Sequence, residues 1–145
     1  MTVKLIGINH VALEVDDVDA ALEWYGRFFE FTLRGRSRGA AFIDIGHQFL
    51  ALERGRSQEP DRGRHFGLVV ADKEAARRAL EDAGVSVSSP PSLDFRDPWG
   101  NHVQVVDYRD VQFLKAPEVL RALGADDLQK SERAIEELRR KGVYS

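Results

Sequence analysis

Two stretches decide the reading of this chain: HVALEVDDVDAA at residues 10–21 and HFGLVVADKEAA at residues 65–76. Superposed, His10 falls on His65, Leu13 on Leu68, Val15 on Val70, Asp17 on Asp72, and Ala20 and Ala21 on Ala75 and Ala76. Such self-similarity points first to a doubled supersecondary unit. Each copy opens with the period-two alternation of a half-buried strand. Val11, Leu13 and Val15 occupy one face, with His10, Ala12 and Glu14 on the other. In the second copy Phe66, Leu68 and Val70 oppose His65, Gly67 and Val69.

An aspartate then stands where a helix needs its free N–H groups capped, Asp17 in the first copy and Asp72 in the second. After Asp17, Val18, Ala21, Leu22, Tyr25, Phe28 and Phe29 recur at helical spacing. Trp24, Tyr25, Phe28, Phe29 and Phe31 are expected to form the core face of this helix. After Asp72 the helical residues are Ala75, Ala76, Ala79, Leu80 and Ala83, and Gly84 supplies a stop.

Three extended segments follow each helix, at 31–37, 40–46 and 48–54 and again at 85–89, 92–96 and 102–108. Gly39, Gly46-His47, Pro90-Pro91 and the DPWGN stretch at 97–101 supply the turns. The expected fold class is therefore α+β, two paired βαβββ motifs forming a cup-shaped curved sheet. The motifs span 4–54 and 64–108 within a domain of residues 1–110.

Residues 111–145 read as a C-terminal helical extension packed on the domain or on a dimer partner. Pro117 opens a short helix through Val119, Leu120 and Leu123 to Gly124. A second helix runs through Leu128, Ser131, Ala134, Ile135 and Leu138, with Asp126 and Asp127 near its start.

Composition narrows the function. The 145 residues suit one domain, and 43% hydrophobic with 31% charged content is ordinary for a globular protein. No apolar run approaches the roughly 20 residues that span a bilayer. The N-terminal MTVKLIGINH lacks the apolar stretch of a secretory signal. The absence of cysteine excludes disulfides, thiolate metal sites and a Cys nucleophile, and agrees with a reducing compartment. A net charge of −3 offers no general attraction to nucleic acid. A cytoplasmic protein with a small-molecule ligand is expected, and neither nucleic acid nor membrane as partner. No phosphate-cradling glycine loop, Ser-His-Asp pattern or zinc-finger spacing occurs.

If the apolar face of each first strand meets its helix, His10 and His65 face the cavity of the cup, the usual setting for a small-molecule site. A strand histidine alone is commonly a hydrogen-bonded structural residue. Equivalence of the two positions raises the case for a pair of metal ligands.

Paired units opening in H-x-x-L-x-V-x-D, with a D-P-x-G-N turn before the last strand, resemble the vicinal oxygen chelate family: glyoxalase I, bleomycin-resistance proteins and ring-cleaving dioxygenases. The resemblance covers residues 4–108 and leaves the C-terminal helices outside. It implies a divalent metal in the cup, coordinating two neighbouring oxygens of the substrate, with ligands on the first and last strand of each motif. His10 and His65 match the first-strand positions. The last strand of the second motif usually reads G-N-x-[IV]-E, and here Gly100-Asn101-His102-Val103-Gln104 puts Gln104 at the carboxylate position. Aligning Leu50-Ala51-Leu52 with Val103-Gln104-Val105 puts Ala51 at the remaining ligand position. Glu53, two residues further on the same face, is expected at the pocket rim and is the weaker ligand candidate.

The expected metal set is therefore His10, His65 and Gln104, with nickel, zinc, manganese or iron all compatible. The expected pocket lining is Phe42, Phe49, Ala51, Phe95, Trp99 and His102. Arg34, Arg36 and Arg38 alternate along one strand. They would suit an anionic substrate, but a solvated face is the expectation.

Two functions compete. The first is a glyoxalase- or dioxygenase-like enzyme whose metal stabilises vicinal oxygens of its substrate. Isomerisation, epoxide opening, epimerisation and ring cleavage all fit. The alternative is a metal-free protein of the bleomycin-resistance kind that sequesters an amphipathic or aromatic compound. A structural interaction domain built on the C-terminal helices ranks last. A homodimer is expected from the resemblance.

Overall fold

The computed structural model describes residues 1–145. Its chain forms two compact units, Met1–Ser57 and Gln58–Ser145. No helix is long and apolar enough to cross a membrane.

The first unit contains β1 (His10–Val15), α1 (Val18–Gly26), β2 (Thr32–Arg36), β3 (Ala40–Ile45) and β4 (Gln48–Arg54). Its sheet order is β1-β4-β3-β2, with β1 parallel to β4 and the other neighbours antiparallel. The strand expected from residue 4 begins at His10. Asp17 is extended, and its carboxylate accepts from the Ala20 N–H at 2.8 Å, which fixes where α1 starts. Val18, Ala21 and Tyr25 form the buried face of α1, which packs on β3 and β4. Beneath it lie Leu13, Val15, Ala41, Ile43, Leu50 and Leu52, all nearly inaccessible. Only Tyr25 of the helix aromatics is fully buried. Trp24 packs edge-on against Tyr25 and Phe28, with centroids 5.0 Å apart in both pairs, at the half-buried margin of the helix.

The second unit contains β5 (Phe66–Val70), α2 (Lys73–Asp82), β6 (Asp94–Arg96) and β7 (His102–Asp107), in sheet order β5-β7-β6. Again the first and last strands are parallel. The strand expected at 85–89 is reduced to one bridge, Val87 to Phe95. Proline has no N–H for a ladder at positions 90 and 91. Polar groups take over instead: Arg77 donates to the carbonyls of Ser88 and Ser92, and the Ser88 hydroxyl accepts from the Asp94 N–H. α2 packs on β7, and the core is Ala76, Leu80, Leu93, Phe95, Val103 and Val105.

The N-terminus of α2 is held twice. Asp72 accepts from the Ala75 N–H at 3.0 Å, and Asp107, the last residue of β7, accepts from the Lys73 N–H at 3.0 Å. The other Asp107 contacts come from Arg109, whose backbone N–H and guanidinium both donate to it. The Arg109 guanidinium holds the Asp107 carboxyl down at about 2, against the opposing effect of burial.

The DPWGN turn is closed by Asp97. Its carboxylate accepts from the Trp99 and Asn101 N–H groups and from the Asn101 carboxamide, at 2.8–3.0 Å. Gly100 has φ of 91°, and a Cβ there would lie 2.7 Å from the Pro60 Cα. Its carbonyl accepts from the Asp61 N–H at 2.8 Å, so the turn carries segment 58–62 on its back.

Beyond β7 come α3 (Pro117–Ala122) and α4 (Glu132–Arg140). The second of these begins later than its apolar spacing suggests. The Ser131 hydroxyl caps the Ala134 N–H, and residues 125–130 form a turn and loop. Lys130 and Ser131 tie this segment to the end of β7. The Lys130 ammonium donates to the carbonyls of Tyr108 and Val111, and the Ser131 N–H donates to the Arg109 carbonyl. α4 buries Ala134 and Leu138.

Two stability measurements check these anchors. Gly100→Ala combines a strained positive φ with a backbone clash, so urea denaturation should show a loss of about 2 kcal/mol or more. Asp107 has a folded pKa below its unfolded value, so its stabilisation is complete above the unfolded pKa and is lost as pH falls through the folded one. Asp107→Asn should cost on the order of 2 kcal/mol at pH 7, with the gap from the parent closing between about pH 4 and pH 2.

Candidate functional site

Strand parity divides each sheet into a helix-covered face and an open one. In the first unit the register pairs His10 with Phe49, Ala12 with Ala51 and Glu14 with Glu53, and β3 adds Phe42 beside Ala51. These residues share the face opposite α1. The His10 and Phe49 rings are stacked, with centroids 4.5 Å apart and planes 7° from parallel, and Phe42 meets Phe49 edge-on at 6.0 Å. Ala51 is 2% exposed and offers no donor atom, and Glu53 is exposed at the strand end.

The arginines of β2 do not share a face, contrary to the alternation in sequence. A register shift between Leu33 and Gly35 inserts an extra residue, so Leu33 pairs with Ile43 and Gly35 already with Phe42. Arg34 keeps the open face that its parity with Thr32 gives it, and its guanidinium lies 4.9 Å from the Phe49 centroid. Arg36, in register with buried Ala41, lies on the α1 side and pairs with Asp19 of that helix.

In the second unit Gly67 pairs with Gln104, and Gln104 in turn with Asp94. Ala51 and Gln104 thus occupy equivalent ladder positions, as Ala12 and Gly67 do. His65, just before β5, lies with its ring 5.0 Å from that of His102. The His65 Nδ1 sits 2.8 Å from the Gly63 carbonyl. A carbonyl oxygen only accepts, so Nδ1 carries the hydrogen and the neutral ring keeps its lone pair on Nε2. His10 is arranged the same way, with Nδ1 2.7 Å from the Asn9 carboxamide oxygen.

His102 differs. Its Nδ1 meets the Arg62 carbonyl at 2.9 Å and its Nε2 meets Asp94 at 2.7 Å, so neither nitrogen is free to take a ligand. Asp94 has no signal in sequence until β6 is registered on β7. Phe95 is on the opposite face from the one expected. It pairs with Val103, is 3% exposed and belongs to the core under α2, because strand parity puts its neighbours Asp94 and Arg96 on the open side. Trp99 is half-buried within the DPWGN turn.

His, Asp and Glu side chains nowhere gather in threes with metal-holding geometry. The donors on the second unit's open face are the His65 Nε2, the Gln104 carboxamide oxygen and the Asp94 carboxylate, whose Oδ2 is engaged by His102; imidazole and oxygen donors suit divalent transition metals. A metal here would depend on Gln104.

Comparison with known proteins agrees with this architecture. The family model for the glyoxalase/bleomycin resistance protein/dioxygenase superfamily matches residues 7–105, which include both histidines, the DPWGN turn and Gln104. No curated protein sequence matches the chain. Among solved structures, the chain is similar to a possible glyoxalase from Bacillus cereus, at 26% identity over 70% of this chain and 99% of that one, with a TM-score of 0.60. It is also similar to lactoylglutathione lyase from Agrobacterium tumefaciens, at 25% identity over 72% and 96% of the two chains, TM-score 0.59. A genomically encoded fosfomycin resistance protein from Listeria monocytogenes shares the fold at 16% identity over 72% and 94%, TM-score 0.61. The chain belongs to the glyoxalase/bleomycin resistance protein/dioxygenase superfamily.

Proposed function

We propose that the chain is a small-molecule enzyme of this superfamily that works with a divalent cation held by His10, His65 and Gln104. One observation carries the reading. Both matched histidines set Nδ1 against an oxygen acceptor, which leaves Nε2 as the nitrogen with the lone pair. Oriented imidazoles of this kind are how proteins prepare ligands for a metal. Such a cation supplies Lewis acidity toward neighbouring oxygens of a carbonyl or enediolate-type substrate. Nickel, zinc, manganese and iron all accept two imidazoles and an amide oxygen. Gln104 brings no charge to offset the cation, so affinity should be weaker than a carboxylate would give. Relatives described as lactoylglutathione lyase and fosfomycin resistance protein support small-molecule chemistry without choosing the reaction. A homodimer in the cytoplasm completes the proposal, the compartment resting on the absence of cysteine.

A second reading has its own support. Ala51 and Phe49 make the first unit's open face apolar and aromatic, which suits a metal-free protein that sequesters a planar compound.

Calorimetric titration of chelator-treated protein with nickel, zinc, manganese and iron(II) separates the two. The enzyme reading expects one cation per chain. Binding should be lost in His65→Ala and weakened about tenfold or more in Gln104→Ala. Gln104→Glu should tighten it by restoring a charge. Intact protein that takes up none of these ions defeats the enzyme reading and leaves sequestration.

A further inference from the structure

We infer that the ligand of this protein is an anion, a carboxylate or a phosphonate on an apolar body, and that Arg34 is the residue that anchors it. The inference rests on the reading that the His10 face of the first sheet is a ligand-binding face.

Three observations on that face converge. The first is the β-bulge. Without it, β2 would set Arg34 and Arg36 on one side, but the extra residue sends them to opposite sides. Arg36 receives a carboxylate there, Asp19, whereas Arg34 forms no ion pair. The bulge thus turns Arg36 away to the helix and leaves Arg34 as the arginine of β2 on the His10 face.

The second is the stack. Phe49 carries the His10 ring on one side at 4.5 Å, nearly parallel, and the Arg34 guanidinium lies 4.9 Å from its centroid. A guanidinium that rests on an aromatic ring keeps its donor edge free while the ring limits its motion. That edge is the fork that meets a carboxylate or phosphonate with two parallel hydrogen bonds. A lysine at this position would supply charge without the fork or the stacking plane.

The third is room. Gly35 follows Arg34, in register with Phe42, and a Cβ built on it would meet no atom within 4 Å. The arginine therefore has open space beside it on the ligand side, with the edges of Phe42 and Phe49 as an apolar floor. The chemistry selected is a negative head with an unsaturated or apolar tail.

The test uses four probes on the full chain: benzoate and phenylphosphonate, with benzamide and benzyl alcohol as neutral counterparts. Binding is followed by chemical-shift perturbation up to about 10 mM, a range that captures millimolar affinities. The anions are expected to bind at least tenfold more tightly than the neutral pair and to shift resonances of Arg34 and Phe49. Arg34→Met should erase that preference, and Arg34→Lys should retain only a minor part of it. Arg36→Met, on the helix side, should leave it unchanged. Thermal midpoints of all variants are measured alongside, and a preference lost at an unchanged midpoint assigns the loss to Arg34 itself.

Equal binding of anions and neutrals overturns the inference. So does a preference that survives Arg34→Met, or no binding by any probe. Repeating the series on chelator-treated protein and on His65→Ala distinguishes this from failure of the metal reading. An anion preference that persists there with no cation uptake upholds Arg34 and removes the metal. Cation uptake without anion preference does the reverse.

Discussion

Parallel pairing between the first and last strand of each unit is the constraint from which the rest of the molecule follows. A strand alternates its side chains with a period of two, so one register decides the fate of every residue on both strands. With Leu13 opposite Leu52, and Leu68 opposite Val105, the apolar rows turn toward α1 and α2. His10 and Gln104 are then committed to the open faces. A slip of one residue would bury them and expose the core, which costs far more than any site could recover. These open-face positions are thus by-products of core burial. They need no separate force to hold them.

The same register exposes how differently the two units use equivalent places. Ladder positions that hold Gln104 and His102 in the second unit hold Ala51 and Phe49 in the first. One open face is polar and hydrogen-bonded through Asp94. The other is aromatic, and its only added charges are Arg34 and acids at the strand ends. The two units share the parallel pairing of first and last strands but differ in open-face chemistry, polar and hydrogen-bonded on one sheet and largely aromatic on the other. This asymmetry is what makes a metal-centred reading depend on Gln104 and an anion-centred reading depend on Arg34.

Much of this was legible in the sequence, for identifiable reasons. The repeat, the Asp17 and Asp72 caps and the DPWGN turn are local features whose chemistry acts within a few residues, and each formed where the pattern put it. Equivalence of Ala51 and Gln104 could be read because the flanking Leu and Val residues fix parity. Phe95 carries no readable face in the sequence because β6 has only three residues, too few for alternation to declare one. The separation of Arg34 from Arg36 was hidden by a bulge, which breaks the period-two rule without leaving a residue type that announces it. The reduced strand at 85–89 and the late start of α4 share one cause. Side-chain hydrogen bonds from Ser88, Arg77 and Ser131 overrode what apolar spacing favoured.

The DPWGN turn deserves a larger role than punctuation. Asp97 closes it, Gly100 admits Pro60 against its backbone, and the Gly100 carbonyl receives the Asp61 N–H. Three successive carbonyls then face the sheet. That of Asp61 accepts from Arg96, that of Arg62 from His102, and that of Gly63 from His65. The hydrogen on the His65 Nδ1, and with it the lone pair on Nε2, is therefore set by a loop whose path is fixed by the turn. A side chain at position 100 would clash with Pro60, in the same loop as these carbonyls. The DPWGN turn and His65 are in this way linked: the turn that Asp97 closes, some thirty residues along the chain, holds the loop whose Gly63 carbonyl meets the His65 Nδ1.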